Sequence, residues 1–329
     1  TQCNKELLEG THVKFIATAT IGFDHIDADY CKSNKISWHH APGCNAGSVQ
    51  QYIASVLATL SLKHGISLKN KRIGIIGAGH VGSKVAYLSQ LLGMKTVLND
   101  PPRQRNETGG DFVTFEEISD TCDIITFHVP LNRQGVDKTF HLADHTFFKS
   151  LTKKPVIINT SRGEVVDKEA IKTALVKGMI SGFVADVWEN EPYPDPALLQ
   201  ASIVATPHIA GYSVEGKANG TTACVRAASQ FFGFALDNWY PPALPPPAHP
   251  EIHIDGTGKS EEQVILEAIY TTYNVMNDDS IFRQDPSRFE DLRNHYGIRR
   301  EFEAFNVFAR NTRPELTMRL KELGFRVKT

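Results

Sequence analysis

The chain has 329 residues, 41% of them apolar and 22% charged, with 35 lysines and arginines against 37 aspartates and glutamates. This is the make-up of a globular protein near neutrality, long enough for two or three hydrophobic cores with a ligand cleft between them. No strong net field favours nucleic acid or a membrane surface, and no apolar run approaches the roughly 20 residues needed to cross a bilayer. Five scattered cysteines, Cys3, Cys31, Cys44, Cys122 and Cys224, form no CxxC pair, so reduced thiols in a cytoplasmic protein are expected rather than a disulfide framework or a zinc site.

The first expected strand is Val13–Ala19, preceded only by a capped-helix stretch around Asn4–Leu8. Because the chain starts at Thr1 rather than a methionine, an amino-terminal part of the first domain is expected to be missing. A second extended run covers Ile36–His39. Asn45 and Ser48 are candidate caps for a helix in which Val49, Tyr52, Ile53, Val56, Leu57 and Leu60 recur at helical spacing, ending near Gly65. Strands are then expected at Arg72–Ile76, Thr96–Leu98, Ile124–Phe127, Val156–Asn159, Phe183–Val187 and Ile203–Ala205, separated mostly by helix-length segments. That alternation predicts a parallel, doubly wound sheet. A helix over Val214–Phe234 returns towards the first domain, and the proline run Tyr240–Pro247 stops it. Beyond lie a strand Glu251–Asp255, a helix from Glu261 to about Met276, a strand Phe302–Ala309 and a helix Glu315–Leu323. The expected division is a partial substrate domain 1–48, a connector 49–68, a nucleotide domain 69–208, a returning segment 209–240 and a small α+β tail 241–329, able to pack on the body or on another subunit.

Gly77-Ala78-Gly79-His80-Val81-Gly82 directly follows an apolar strand and opens a helix. In that context the first glycine permits the tight turn, the second lets the backbone approach a pyrophosphate, and the third lets the helix pack on the sheet. The amides at His80 and Val81 and the positive helix end would receive the phosphate charge. Asp100, about 20 residues on, ends the next strand, where a carboxylate binds ribose hydroxyls and repels a 2′-phosphate. NAD is therefore expected over NADP, although Arg103 and Arg105 stand nearby.

Three polar residues fall just beyond strands of the same sheet: Arg162 in Asn159–Gly163, Glu191 in Asp186–Pro192, and His208 in Thr206–Gly211. Ligands of open α/β folds bind at such strand ends. Oxidation of an alcohol by hydride loss needs a base for the hydroxyl proton and an anchor for substrate charge. A histidine can exchange protons near neutrality, a glutamate can hold its second ring nitrogen, and an arginine can grip a carboxylate with two donors. With 13 histidines in the chain, any one alone is more simply structural; the three segments following a nucleotide fingerprint are what single out His208.

Together these segments resemble the D-isomer-specific 2-hydroxyacid dehydrogenase family, from roughly Lys14 to Asn238. The resemblance implies an NAD-dependent enzyme whose Rossmann-type nucleotide domain is inserted in a flavodoxin-like substrate domain. It gives Arg162 the substrate carboxylate, His208 the proton and Glu191 the pairing with His208. Ala41–Ala46, Asp100–Arg103, Pro207–Tyr212, Glu215–Thr222 and the extension after the proline run are similar to members that act on a small phosphorylated 2-hydroxyacid and form homodimers through that extension. By that likeness Thr20 and Tyr212 contact substrate, while Val129, Thr160, Ser161, Asp186 and Gly211 line the dinucleotide site. Gln51 stands where relatives often have glutamate, and Val129 where a threonine can meet the cofactor. A substrate phosphate would need donors beyond Arg162: amides near Thr20, or tail arginines (Arg283, Arg288, Arg293, Arg299, Arg300, Arg310, Arg313) reaching across a dimer. Segments near Asn45 and Ile209 are expected hinges. No metal is called for. Another 2-hydroxyacid dehydrogenase activity and a nonenzymatic NAD-sensing module are the alternatives, and turnover separates them.

Overall fold

The computed structural model describes residues 1–328. In the first unit β1 (Phe15–Ala17) and β2 (Ser37–His39) pair in parallel, joined through the Ala28–Ser33 helix. Its small core is built on the buried side chains of Leu8, Ile26, Cys31 and Ile36. The Ala46–Leu62 helix leads out, and the Val214–Phe232 helix returns to pack on β1, where Phe15 stacks on Phe231 at 4.9 Å. Asn45 does sit at the start of the connector helix, but its side chain caps nothing. Ser48 is committed elsewhere, bonded to the Ser213 hydroxyl at 2.6 Å and to Glu301 at 3.0 Å, because the outgoing and returning segments touch here.

The second unit holds β3 (Arg72–Ile76), β4 (Lys95–Asn99), β5 (Ile124–Phe127), β6 (Val156–Asn159), β7 (Gly182–Ala185) and β8 (Val204–Ala205). All are parallel, in the spatial order β4-β3-β5-β6-β7-β8. The strands from β5 to β8 are buried throughout, as expected of a sheet covered by helices on both faces. A single parallel bridge joins Leu98 of β4 to Phe112 on the open edge of the sheet. The strand order reverses between β3 and β5, so the crevice beyond their carboxyl ends is where a ligand belongs.

The tail carries β9 (Glu251–Asp255), β10 (Asn306–Arg310) and β11 (Arg326–Lys328), all parallel in the order β11-β10-β9. Its strands alternate with helices in the order expected of it, and their all-parallel pairing makes the tail α/β where α+β is expected: parallel neighbours require crossovers, and helices supply them. The long helix expected from Glu261 breaks at Tyr273, giving Glu261–Thr272 and Val275–Gln284. Ser55 of the connector explains the break. Its hydroxyl donates to the Tyr273 carbonyl at 2.7 Å and accepts from the Val275 amide at 3.0 Å, satisfying groups that a continuous helix would have paired. The expected strand from Phe302 starts only at Asn306, after a short turn of 3₁₀ helix.

The tail does not stand apart from the body. Leu57 and Leu60 of the connector, Ile73 and Ile75 of β3, and Ile254, Leu266 and Val307 of the tail share one continuous apolar core. Phe282, fully buried, lies 6.2 Å from Trp188 and 5.7 Å from Phe289 between ring centroids. Phe282→Ala is expected to cost about 3–5 kcal/mol and to lower the urea midpoint in a single transition followed by both near-UV dichroism and fluorescence. A separate early transition of the tail would contradict a shared core.

Candidate active site

The carboxyl ends of the parallel strands deliver the functional residues to one edge of the sheet. After β3 comes the glycine turn. Gly77 has φ +87°, and a Cβ there would strike the His128 carbonyl and Val129; a Cβ on Gly82 would strike the Gly77 carbonyl. Gly79 faces open space and is exposed with His80. The His80–Leu91 helix starts here with no side chain capping its first amides. Uncapped donors at the positive end of a helix, with nothing over them, fit a dinucleotide pyrophosphate. Val129, after β5, closes the other wall beside Gly77.

Asp100 directly follows β4 and ties the turn together. One carboxylate oxygen accepts from the Ala78 amide at 2.8 Å and the other from the Arg103 amide at 3.0 Å. It is therefore a helix cap as well as an acid at the nucleotide site, with lone pairs left for a ribose. Arg103 grips Glu107 with two bonds of 2.7 Å and also donates to the Ala78 carbonyl. Arg105 is paired with Asp137. Both guanidinium groups thus have carboxylate partners, while Asp100 is the charge that stands at the turn itself.

After β6, Thr160 lies against His128 at 3.4 Å, whereas the Ser161 hydroxyl turns inward to Asn159 at 2.8 Å. His128 was not singled out from the sequence. Burial pushes its ring down to about pKa 3, so it stays neutral beside Thr126 and Thr160. Arg162 reaches across to the first unit, where Nε and Nη2 both donate to Asp24 at 3.2 and 3.0 Å, and Nη1 donates to the Ser161 carbonyl. Gly22 makes this approach possible, since a Cβ there would collide with the guanidinium. Thr20 sits on the same exposed loop and donates to the Gly22 carbonyl at 2.7 Å.

After β7 and β8 the Glu191 and His208 side chains meet. His208 Nδ1 lies 2.7 Å from one Glu191 oxygen, and the Trp188 amide donates to the other at 2.9 Å. Burial pushes the Glu191 carboxyl up, but the His208 bond and charge, the Trp188 amide and the charge of Arg293 outweigh it, leaving a net lowering. His208 has φ +57°, a left-handed conformation uncommon for a residue with a side chain. Its loop holds that conformation because Asp186, fully buried, accepts from Thr206 Oγ1, the Ile209 amide and the Ala210 amide at 2.7, 2.8 and 2.9 Å. Burial raises the Asp186 carboxyl despite those bonds. Asp186 thus braces the histidine loop from behind instead of opening onto the cleft.

Gly211 follows the loop, packed so closely on Asn45 that a Cβ would strike its amide. The tail reaches the same loop. Arg299, buried between the Tyr273 and Tyr296 rings at 4.6 and 5.8 Å, donates to the Ala210 carbonyl at 2.6 Å and to the Ser48 carbonyl at 3.3 Å. Gln51 donates to the Arg300 carbonyl at 2.7 Å. Arg293 donates to the Tyr212 hydroxyl at 3.2 Å. The segment Arg299–Glu301 therefore clasps both expected hinges. Among the described residues no cluster of histidine, cysteine, aspartate or glutamate could hold a metal, and no helix is long and apolar enough to cross a membrane.

Comparison with known proteins agrees with this layout. The profile of the D-isomer specific 2-hydroxyacid dehydrogenase NAD binding domain matches residues 49–210, and a domain of unknown function, DUF3410, matches 243–324. The chain is 49% identical, over 93% of its length and 85% of the relative's, to an erythronate-4-phosphate dehydrogenase of Bacteroides thetaiotaomicron. It is 41% identical over 95% and 84% to one of Porphyromonas gingivalis. The crystal structure of D-lactate dehydrogenase from Aquifex aeolicus with NAD and lactic acid aligns with TM-score 0.59 and 27% identity, over 74% of this chain and 84% of that one. The glycine turn, the Asp100 terminus and the residues at the strand ends thus sit in a known NAD-dependent framework, and the chain belongs to the D-isomer specific 2-hydroxyacid dehydrogenase family.

Proposed function

We propose that this enzyme oxidises 4-phospho-D-erythronate at its second carbon to 2-oxo-3-hydroxy-4-phosphobutanoate, a step in making pyridoxal 5′-phosphate, and that it works in the cytoplasm as a homodimer. The observation that carries the chemistry is the 2.7 Å pairing of His208 with Glu191 at the ends of adjacent strands. The substrate is inferred from the name of relatives that match nearly the whole chain. Ile281, Ile298 and Met318 are exposed apolar side chains of the tail and are the candidates for contact with a second copy.

Gly77–Gly82 and Asp100 would hold NAD, which supplies the hydride acceptor. Arg162 binds the substrate carboxylate, which takes the place of Asp24 on Nε and Nη2. With Nδ1 committed to Glu191, the imidazole presents Nε2 to the hydroxyl on carbon two and takes its proton. The anionic Glu191 then stabilises the imidazolium. Thr20 and Tyr212 border the substrate, and movement about the Asn45 and Ile209 segments brings the Arg162 and His208 sides together and excludes water.

Three outcomes follow. His208→Ala lowers kcat by about 10²- to 10⁴-fold while NAD affinity, read by fluorescence titration, stays the same; full turnover would refute the assignment. Glu191→Gln leaves the imidazolium without its anionic partner, so the ring gives up its proton more readily. The acidic limb of the kcat/KM profile for oxidation therefore moves to lower pH; an unmoved limb would separate Glu191 from the proton step. With NADP in place of NAD, kcat/KM falls by at least about 10²-fold, the scale of one badly placed charge, and an NADP preference would overturn the role of Asp100.

A further inference from the structure

We infer that Arg293, from the tail of the same chain, is the specificity-determining anchor for the phosphate end of the substrate, acting together with the Tyr212 hydroxyl. This rests on the phosphorylated substrate proposed above. A phosphate monoester carries about −1.5 to −2 charges at neutral pH and three strong acceptor oxygens. Once Arg162 is given to the carboxylate, a second cation must face the cleft.

Most tail arginines are already spent. Arg283 is held by Asp279 and by the Leu199 and Ser202 carbonyls. Arg288 is paired with Asp291, and Arg300 with Glu215. Arg299 lies buried behind the histidine loop. Arg293 shares with Arg299 a buried Nε without a hydrogen-bond partner and the lack of a carboxylate within ion-pair distance among the described residues, and it differs from Arg299 in what its guanidinium reaches. Its side-chain hydrogen bond goes to Tyr212, three residues beyond Ile209 of the histidine loop. Its charge is also felt by Glu191.

Lys217 adds to the same field, its ammonium lying 5.2 Å from the centre of the Tyr212 ring while the Arg293 guanidinium lies 5.7 Å from it. The Tyr212 ring thus has two cations within about 6 Å of its centre, and neither is the Arg162 anchor. On this proposal a short acid with its carboxylate on Arg162 and its second carbon at His208 places its far end at this pair. The tail arrives through the Phe289–Asn294 helix, whose Phe289 is locked in the core against Phe282. The anchor is therefore rigid and supplied in cis, without need of a second subunit.

The test compares kcat/KM for 4-phospho-D-erythronate and for D-erythronate in wild type, Arg293→Met and Arg293→Lys. Wild type is expected to favour the phosphorylated acid strongly. Arg293→Met should cut that preference by about 10- to 100-fold, the worth of a charged hydrogen bond, chiefly through KM, and Arg293→Lys should restore part of it. A wild type without preference overturns the substrate reading and the anchor together. A preference that survives in Arg293→Met, or equal losses on both acids, overturns the anchor alone and leaves the substrate reading standing.

Discussion

The site depends on the buried carboxylate of Asp186. Three donors from the Thr206–Ala210 segment converge on it, and they hold His208 in a backbone conformation that its side chain would otherwise disfavour. A buried carboxylate is costly unless its oxygens are satisfied, and here the donors that satisfy it are the loop that carries the base. Stability and preorganisation are thus the same set of bonds. Thr206 extends the brace inward, since its hydroxyl also meets Tyr52 of the connector helix at 2.6 Å.

Around that loop the parallel sheet does the sorting. Each strand from β3 to β8 ends at the same edge, so the glycine turn, Asp100, Val129, Arg162, Glu191 and His208 gather there although more than a hundred residues separate the first from the last. The first unit completes the cleft by presenting Asp24 and Gly22 to Arg162. The tail completes it from the other side, through Arg299 under the histidine loop and Arg293 on Tyr212. An extension outside the nucleotide domain thus becomes part of how the base is held.

Local patterning made much of this legible. Arg72–Ile76, Ile124–Phe127, Val156–Asn159 and Glu251–Asp255 have the bounds expected of them, because apolar runs between turn residues leave few alternatives. What escaped depends on partners far along the chain. The break at Tyr273 has no proline or glycine to announce it and is made by Ser55. The strand Arg326–Lys328 lies at a sheet edge and alternates charged residues around a single valine. Asp186 is expected from the family resemblance at the dinucleotide, yet its bracing role needs the loop geometry. Arg293 and Arg299 are legible only as two of seven tail arginines that could reach a phosphate across a dimer, since nothing near them in sequence names Tyr212 or Ala210 of the same chain as neighbours.

The central claim is that one cleft brings a cationic anchor and a base paired with a carboxylate to the same carbon. A crystal structure of the enzyme with NAD and a nonreactive phosphorylated 2-hydroxyacid analogue tests it most directly. The account predicts the imidazole Nε2 within about 2.6–3.2 Å of the oxygen on carbon two, with Arg162 on the carboxylate. An imidazole remote from that oxygen in a closed complex would contradict it.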